Sequence, residues 1–463
     1  MPAFVLFALG ILVLIHLYLW KRLVRDTTRR GPWRLAGSIG AAFLAVLLVA
    51  TMVGTRLGFW LLAWPGYLWL AVMFYLLVAL VLLELPMLAA KLWLRRRRST
   101  AATPALVHAA AAPASATKPA NAAKPASAAK PADAAAEPPI GAAKPADAAA
   151  EPPIGATEPA DAPAAPIGAA EPVDAAATDV APPSQETAVP DHSRRLLLAR
   201  GAAIFAGLTA AGVSGYGIRS ALGPPQLDRV RIPLAKLPGT MDGTRIALVS
   251  DIHLGPLRGR SHTERIVRMI NEMDADVVAV VGDLVDGSVE ELGAAAAPLR
   301  DLRSRHGNFF VTGNHEYFSG HEEWIEEVTR LGLRPLRNER LSIEGLDLAG
   351  VNDIAGESYD DGPDFDRALA GRDAGRPVVL LAHQPVQAHE AARHGVDLQL
   401  SGHTHGGQMV PFNLLVALEQ PVISGLGNVD GTPVYVTNGA GFWGPPVRIG
   451  APPQVTLVEL TRP

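Results

Sequence analysis

RIALVSDIH (245–253), DVVAVVGD (276–283), NFFVTGNHE (308–316), PVVLLAHQ (377–384) and VDLQLSGHTHGGQ (396–408) share one design. In each, a short apolar run leads into Asp, Asn or His. An unbroken apolar run of this length reads as a strand buried on both faces, so the polar residues stand where buried strands run out into loops. LDLAGVND (346–353), PVYVTNG (433–439) and QVTLVEL (454–460) extend the series. Helix-period faces lie between the runs, with Ile266, Ile270 and Met273 on one and Trp324, Val328 and Leu331 on another. Strand and helix in alternation imply a layered α/β domain from about Gln226 to the end, and in such sheets function gathers at the carboxyl ends of the strands.

The residues collected at those ends are Asp251, His253, Asp283, Asn314, His315, His383, His403 and His405. Carboxylate, amide and imidazole side chains in this mixture suit a pair of divalent ions doing hydrolytic chemistry. The chain has 13 histidines and no cysteine, so disulfides, thiolate-bound zinc and cysteine nucleophiles are excluded. His262, His306, His321, His389 and His394 match no motif and read as surface or helix-end residues. Asn352-Asp353 closes another apolar run and reads equally as pocket lining or as a turn.

Upstream the composition changes. Mean hydropathy over the 463 residues is +0.19 with 49% hydrophobic residues, an excess concentrated near the N-terminus. Residues 2–20 are almost wholly apolar, about the ~20 residues that cross a bilayer. A second apolar stretch runs from Leu35 to Val53 and a third from Trp60 to Ala90, where Pro65-Gly66 is expected to break the entrance and leave a span from about Tyr67. His16 is the lone polar residue of the first span and reads as a helix-contact hydrogen bond. Lys21, Arg22, Arg25, Arg29, Arg30 and Arg34 follow the first span, and Lys91 with Arg95 to Arg98 follow the third, against Arg56 alone after the second. By the positive-inside rule the two basic loops face the cytoplasm. The net charge of −4 gives no electrostatic ground for a nucleic-acid partner.

From Ser99 to His192 the chain is mostly Ala, Pro, Lys, Glu and Asp, with AAKPADAAAEPPIG at 128–141 repeated at 142–155. Each repeat carries one large apolar residue, Ile140 or Ile154, too little to build a core, so the stretch reads as a disordered, semi-extended spacer. SRRLLLARGAAIFAGLTAAGVSGYG (193–217) follows, read as a fourth span with a basic flank, as a twin-arginine-like signal anchor with Leu197 in place of the usual Phe, or as an interfacial or buried helix that leaves the following domain cytoplasmic. The expected division is a membrane region over 1–98, the linker over 99–192, the fourth span or anchor over 193–224, and the α/β domain over 225–463.

The order DIH, GD, GNHE, lone His, GHTH resembles the calcineurin-like metallophosphoesterases, with no motif missing. GHTHGGQ (402–408) and GFWGPPVRIGAPPQ (441–454) look like the bacterial membrane-associated branch. The resemblance covers roughly residues 240–463 and implies two mixed β-sheets flanked by helices. It also implies two divalent ions, with Mn, Fe and Zn all suited to the donor set. Asp251, His253, Asp283 and His405 would hold the first ion, and Asp283, Asn314, His383 and His403 the second, with Asp283 bridging. A hydroxide between the ions would attack phosphorus in line, and His315 resembles the family's general acid. The phosphatase branch continues GDxVDRG, whereas this chain reads GDLVDGS with Gly287 in place of the arginine, which favours a phosphodiester over a phosphomonoester.

The leading expectation is therefore a membrane-anchored phosphodiesterase, multi-pass in a bacterial cytoplasmic membrane, with its catalytic domain outside. A lipid-linked or envelope-bound phosphoester is its expected substrate and the bilayer its partner. A pyrophosphatase of the UDP-2,3-diacylglucosamine type is the alternative, and it needs a cytoplasmic site. A transporter or sensor carrying a passive phosphoesterase-like module is a third reading, disfavoured by spans without paired charges.

Overall fold

The computed structural model describes residues 2–101 and 191–463. Residues 99–101 and 191–192, at the ends of the expected spacer, are helical, and the rest of it with both tandem repeats lies outside the described residues. Residues 1–97 and 189–463 form one compact unit. Its membrane part contains α1 (Pro2–Leu19), α2 (Pro32–Gly54), α3 (Ala63–Ala101) and α4 (Asp191–Leu222). Among the described residues, four stretches are long and apolar enough to cross a membrane: Leu6–Arg25, Pro32–Gly54, Trp60–Ala89 and Ser193–Leu222.

Two expectations fail in this region. The third span is not broken at Pro65-Gly66, because α3 begins at Ala63 and Pro65 falls in its first turn, where a missing N–H costs no hydrogen bond. Gly66 instead allows close approach, since a Cβ on it would overlap the Thr51 side chain of α2. The spans also contain a paired charge, with Arg22 Nε 3.0 Å from a Glu84 carboxylate that also accepts from the Tyr18 hydroxyl. The pair lies toward the basic end of the helices, where a buried guanidinium needs a partner. His16 accepts at Nε2 from Trp69 Nε1 at 3.2 Å, and its Nδ1 lies 2.9 Å from Leu12 O, a helix-to-helix contact.

The remaining chain runs β1 (Gln226–Pro233), β2 (Thr244–Val249), α5 (Arg260–Glu272), β3 (Val277–Val281), α6 (Val289–Ala296) and β4 (Asn308–Val311). It continues with α7 (Asn314–Ser319), α8 (His321–Arg330), β5 (Arg334–Pro335), β6 (Glu339–Ile343), β7 (Leu346–Gly350), α9 (Phe365–Leu369) and β8 (Val378–Leu381). It closes with α10 (Ala388–Arg393), β9 (Leu398–Ser401), α11 (Asn413–Val416), β10 (Gly425–Val429), β11 (Thr432–Val436) and β12 (Gln454–Thr461). The strands make two six-stranded mixed sheets, ordered β1-β12-β2-β3-β4-β5 and β10-β11-β9-β8-β7-β6.

The sheets pack face to face. Leu248, Ala279 and Phe309 of the first meet Leu348, Leu381 and Leu400 of the second in one buried cluster. The outer face of the first sheet is covered by Ile266 and Ile270 of α5 and by Trp324 and Val328 of α8, the faces expected from helical periodicity. Phe365, Ala368 and Ala391 of α9 and α10 cover the second. The parallel neighbours β2, β3 and β4 end side by side, as do β8 and β9 opposite them, which sets the motif-bearing loops around one point.

Candidate metal centre

Asp251, His253, Asp283, His403 and His405 all have left-handed backbones, with φ of 51°, 47°, 52°, 71° and 53°. Such angles are uncommon outside glycine, and their gathering at one place marks turns held against local preference by their surroundings. The motif glycines make that possible. A Cβ on Gly313 would overlap the Asp283 carboxylate, and one on Gly402 would overlap Ser250 Oγ and Asp251 Oδ2.

Two groups of side chains converge. Asp251, His253 and His405 form one, and Asp283, His383 and His403 the other, each with its donor atoms mutually within 4.8 Å. Asn314 joins the second, its Oδ1 3.0 Å from His403 Nδ1. Asp283 Oδ2 stands between the groups, 3.1 Å from His383 Nε2 and 3.8 Å from His253 Nε2. All seven expected ligands are thus brought together.

The donor set can be tested against the ions the sequence implies. His383 Nδ1 lies 2.9 Å from Val281 O, so that nitrogen carries the proton and Nε2 presents a lone pair. That Nε2 is buried without a hydrogen-bond partner and faces a carboxylate oxygen, which also only accepts. Two acceptors face each other in a dry site only if a metal ion or a proton sits between them. His253 repeats the pattern, with Nδ1 2.8 Å from Asp286 Oδ1 and Nε2 turned toward Asp251, Asp283 and His405. Separations of 3.0–3.8 Å between donor atoms match pairs sharing one ion at ~2.1 Å. The residues fit divalent ions.

Without an ion, protons are drawn to the same places. Burial lowers the basicity of His253, but Asp286, Asp251 and Asp283 outweigh it and raise its pKa to about 10. Burial and the neighbouring His383 push His403 down to about 4. His405 is likewise held low, by burial and then by Arg448 against the pull of Asp251. Arg448 Nη2 reaches His405 Nδ1 at 3.0 Å, so a neutral ring there keeps its proton on Nε2, facing His253. To hold an ion through Nε2, His405 would have to present that nitrogen free of its proton, as any imidazole ligand must.

His315 sits at the rim. Its Nδ1 lies 2.7 Å from Asp286 Oδ1, the oxygen that also holds His253. Burial lowers its basicity, and Asp283 and Asp286 more than restore it. The ring packs edge-on against His253, Phe318 and Trp443, with centroids at 4.6, 5.8 and 6.2 Å.

The calcineurin-like phosphoesterase family profile matches residues 244–407. An uncharacterized metallophosphoesterase of Helicobacter pylori is 39% identical over 272 residues, covering 58% of this chain and 73% of the relative. The chain belongs to the calcineurin-like phosphoesterases. A transmembrane protein with metallophosphoesterase domain from Danio rerio is 41% identical over 259 residues, covering 53% of this chain and 59% of its own length. An uncharacterized metallophosphoesterase of Aquifex aeolicus is 34% identical, covering 51% of this chain and 91% of its own length. The chain thus spans about three fifths of its zebrafish relative, and the relatives are not confined to bacteria.

Three further residues of this phosphoesterase support the site and carry no role in the motif reading. Asp286 joins His253 to His315 through one oxygen. Glu316 is fully buried, and its carboxylate accepts from the backbone N–H groups of Asp283 at 2.9 Å, Leu284 at 2.7 Å and Gly313 at 2.6 Å. Burial and then the Asp283 charge push its pKa up to about 7, against those backbone bonds. Arg448 is 1% exposed and donates to the carbonyls of His405, Asn438 and Gly441. Glu316 has a sequence signal, three residues after Gly313 at the start of α7 like the closing residue of a capping box. Arg448 has none.

The histidines outside the motifs take varied places. His262, expected at a surface or helix end, stands at the start of α5 but is buried, with Arg258 Nη1 3.4 Å from its Nε2. His321 packs at a tilt against Tyr317 and edge-on against Tyr359. Asp353 is buried in a turn, accepting from Ala355 N and Gln384 Nε2, and Asn352 donates to Asp361 O.

Proposed function

We propose that this protein is a membrane-anchored, dinuclear metal-dependent phosphoesterase that prefers phosphodiesters. The observation that carries the reading is the place of Asp283 Oδ2 between two groups of buried acceptors, within 3.8 Å of one imidazole from each. Asp251, His253, Asp283 and His405 would hold one ion, and Asp283, Asn314, His383 and His403 the other. Bound there, manganese, iron or zinc would neutralise phosphoryl charge and acidify water near neutral pH.

The chain's own residues do the rest. Asp286 orients His315 through Nδ1 and supports its protonated form, so that Nε2 presents a proton to the departing oxygen. The absence of an arginine at 287 supports a diester. In its place a Cβ would already press on the Glu291 carboxylate and Leu292. Arg448, the guanidinium bonded to the ligand set, is buried with its donors committed to protein acceptors. A dianionic monoester therefore finds no free guanidinium among the described residues that touch the ligand groups.

Purified full-length protein in detergent with manganese, assayed on bis(4-nitrophenyl) phosphate and 4-nitrophenyl phosphate, tests this. The diester should show the higher kcat/KM, and Asp283→Asn should bind less than two equivalents of metal. No hydrolysis of either ester by the metal-loaded protein, or an unchanged metal count in Asp283→Asn, would overturn the reading.

We further propose a bacterial cytoplasmic membrane, with the catalytic domain on the extracytoplasmic side. Arg200 of α4 donates to Thr27 O in the basic loop after the first span, so that loop and the basic start of α4 lie at one end of the helices. The catalytic domain meets the other end, where Arg258 donates to Ala221 O. A C-terminal alkaline phosphatase fusion should be active. An inactive fusion would favour a cytoplasmic site and a nucleotide-linked substrate such as UDP-2,3-diacylglucosamine.

A further inference from the structure

The stretch 409–420, MVPFNLLVALEQ, carries one charge, Glu419, and a set of side chains that no described residue covers. Leu414, Leu415 and Leu418 are 66%, 58% and 82% exposed, and Val410 and Phe412 are exposed beside them. Contiguous apolar exposure of this kind is uncommon on a water-facing surface. This patch leads directly onto the membrane helices. Met409 is buried among Leu76, Leu80 and Ala210 of α3 and α4. The Phe412 ring meets Phe74 edge-on at 6.5 Å. Phe74 is fourteen residues past Trp60, the start of the third span, or ~20 Å along a helix rising ~1.5 Å per residue.

The same segment forms one wall of the metal centre. Its backbone leaves the site at His405, and Asn413 packs over Gly407 so closely that no Cβ fits between. Gln408 Nε2 donates to the carbonyls of Trp443 and Pro445. Trp443 is 56% exposed and stands edge-on to His315, while Val447 and Ile449 just beyond it pack against Gly217 of α4. The two segments that flank His405 and His315 thus both rest on the membrane helices.

We propose that residues 410–418 dip into the bilayer beside the metal centre, and that the site takes as substrate a phosphodiester carried by a membrane amphiphile. The bilayer is the occupant because the patch continues a surface already formed by spans and carries no charge from 410 to 418 to match a protein partner. Exposed leucines bury their side chains among acyl chains, and Trp443 lies where an indole spans the apolar and polar zones. The substrate's apolar tail would stay in the lipid while its phosphodiester reaches His315. Hydrolysis forms one bond from water oxygen to phosphorus and breaks one ester P–O bond. The leaving alcohol takes a proton, the product is a phosphomonoester, and no oxidation state changes. The substrate half of the proposal rests on the phosphoesterase reading, whereas the insertion half does not.

The chain has no cysteine, so Leu415→Cys and Leu418→Cys give single labelling sites. With an environment-sensitive dye and nanodiscs of brominated phosphatidylglycerol and phosphatidylcholine, both labels should be quenched as strongly as one at Leu85→Cys on α3. A label at Asp366→Cys, on the solvent-exposed part of α9, should not be quenched. Quenching at 415 and 418 no stronger than at 366 overturns insertion. Shielding from aqueous iodide without lipid quenching also overturns it, in favour of a protein partner. For the substrate, Leu418→Glu should lose at least tenfold on head-labelled phosphatidylglycerol in nanodiscs and keep its rate on bis(4-nitrophenyl) phosphate within twofold. Equal rates on the lipid, or equal losses on both esters, overturn entry from the lipid. If the wild type hydrolyses neither ester, the phosphoesterase reading fails, and quenching still decides insertion.

Discussion

Glu316 offers the sharpest test of how the centre is held. Its two carboxylate oxygens take three backbone N–H groups, from Asp283, Leu284 and Gly313, across the gap between the ends of β3 and β4. These bonds hold Asp283 in its left-handed turn, with its carboxylate aimed between the two ligand groups. Glu316→Gln keeps the shape but turns an NH2 toward at least one of the three donors, leaving a buried N–H unsatisfied at a cost of about 1–3 kcal/mol. Glu316→Ala strands all three donors beside a new cavity. The sum of three such costs is an upper bound, because neighbours relax and water enters, so about 3–5 kcal/mol is expected. At about 2–4 °C per kcal/mol for a domain of this size, melting should fall by about 2–12 °C for Gln and by about 6–20 °C for Ala. Tryptophan fluorescence melts of the full chain in detergent, with bound metal counted by mass spectrometry, measure both quantities. The Ala variant should lose metal even at temperatures where it is folded, since the Asp283 turn is no longer fixed. Melting within 2 °C of wild type with a full metal complement would refute the argument that this carboxylate fixes the turn.

Other expectations follow from single contacts. Asp286→Asn removes the negative charge shared by His253 and His315, and kcat should fall about 10–100-fold. The loss should be greater for an alkyl diester than for a nitrophenyl one, whose leaving group needs no proton, and equal losses would remove His315 from proton transfer. Gly313→Ala drives a Cβ into the Asp283 carboxylate, so the variant should bind less metal, as titration calorimetry would show. Trp324→Phe deletes the 2.9 Å bond from Nε1 to O of Gly287, the residue after Asp286, and should cost about 1–2 kcal/mol in melting.

What the sequence disclosed and what it withheld divide along a physical line. The ligands were legible because each closes an apolar strand, and parallel neighbours in one sheet must end on the same side. Ile266, Ile270, Trp324 and Val328 were legible because burial repeats with the helical period. Four strands escaped. β1 has an almost wholly exposed pattern, β5 is two residues long, and β6 and β10 are half-exposed, so none shows the continuous apolar run that buried strands require. Arg448 could not be read, because its meaning depends on carbonyls 43, 10 and 7 residues away that the fold alone assembles. Pro65 misled because its effect depends on position, and in a first turn it breaks nothing. The deepest gap concerns the leucines at 414, 415 and 418. Read as sequence, LLVAL is a short apolar run of the kind that marks a core segment, and nothing in it says that the side chains face outward. Only the contacts of Met409 and Phe412 with α3 turn exposed leucines from a solubility defect into a surface continuous with the membrane helices. Hydropathy identifies which segments avoid water, but which face of the folded domain avoids it is a property of the packing.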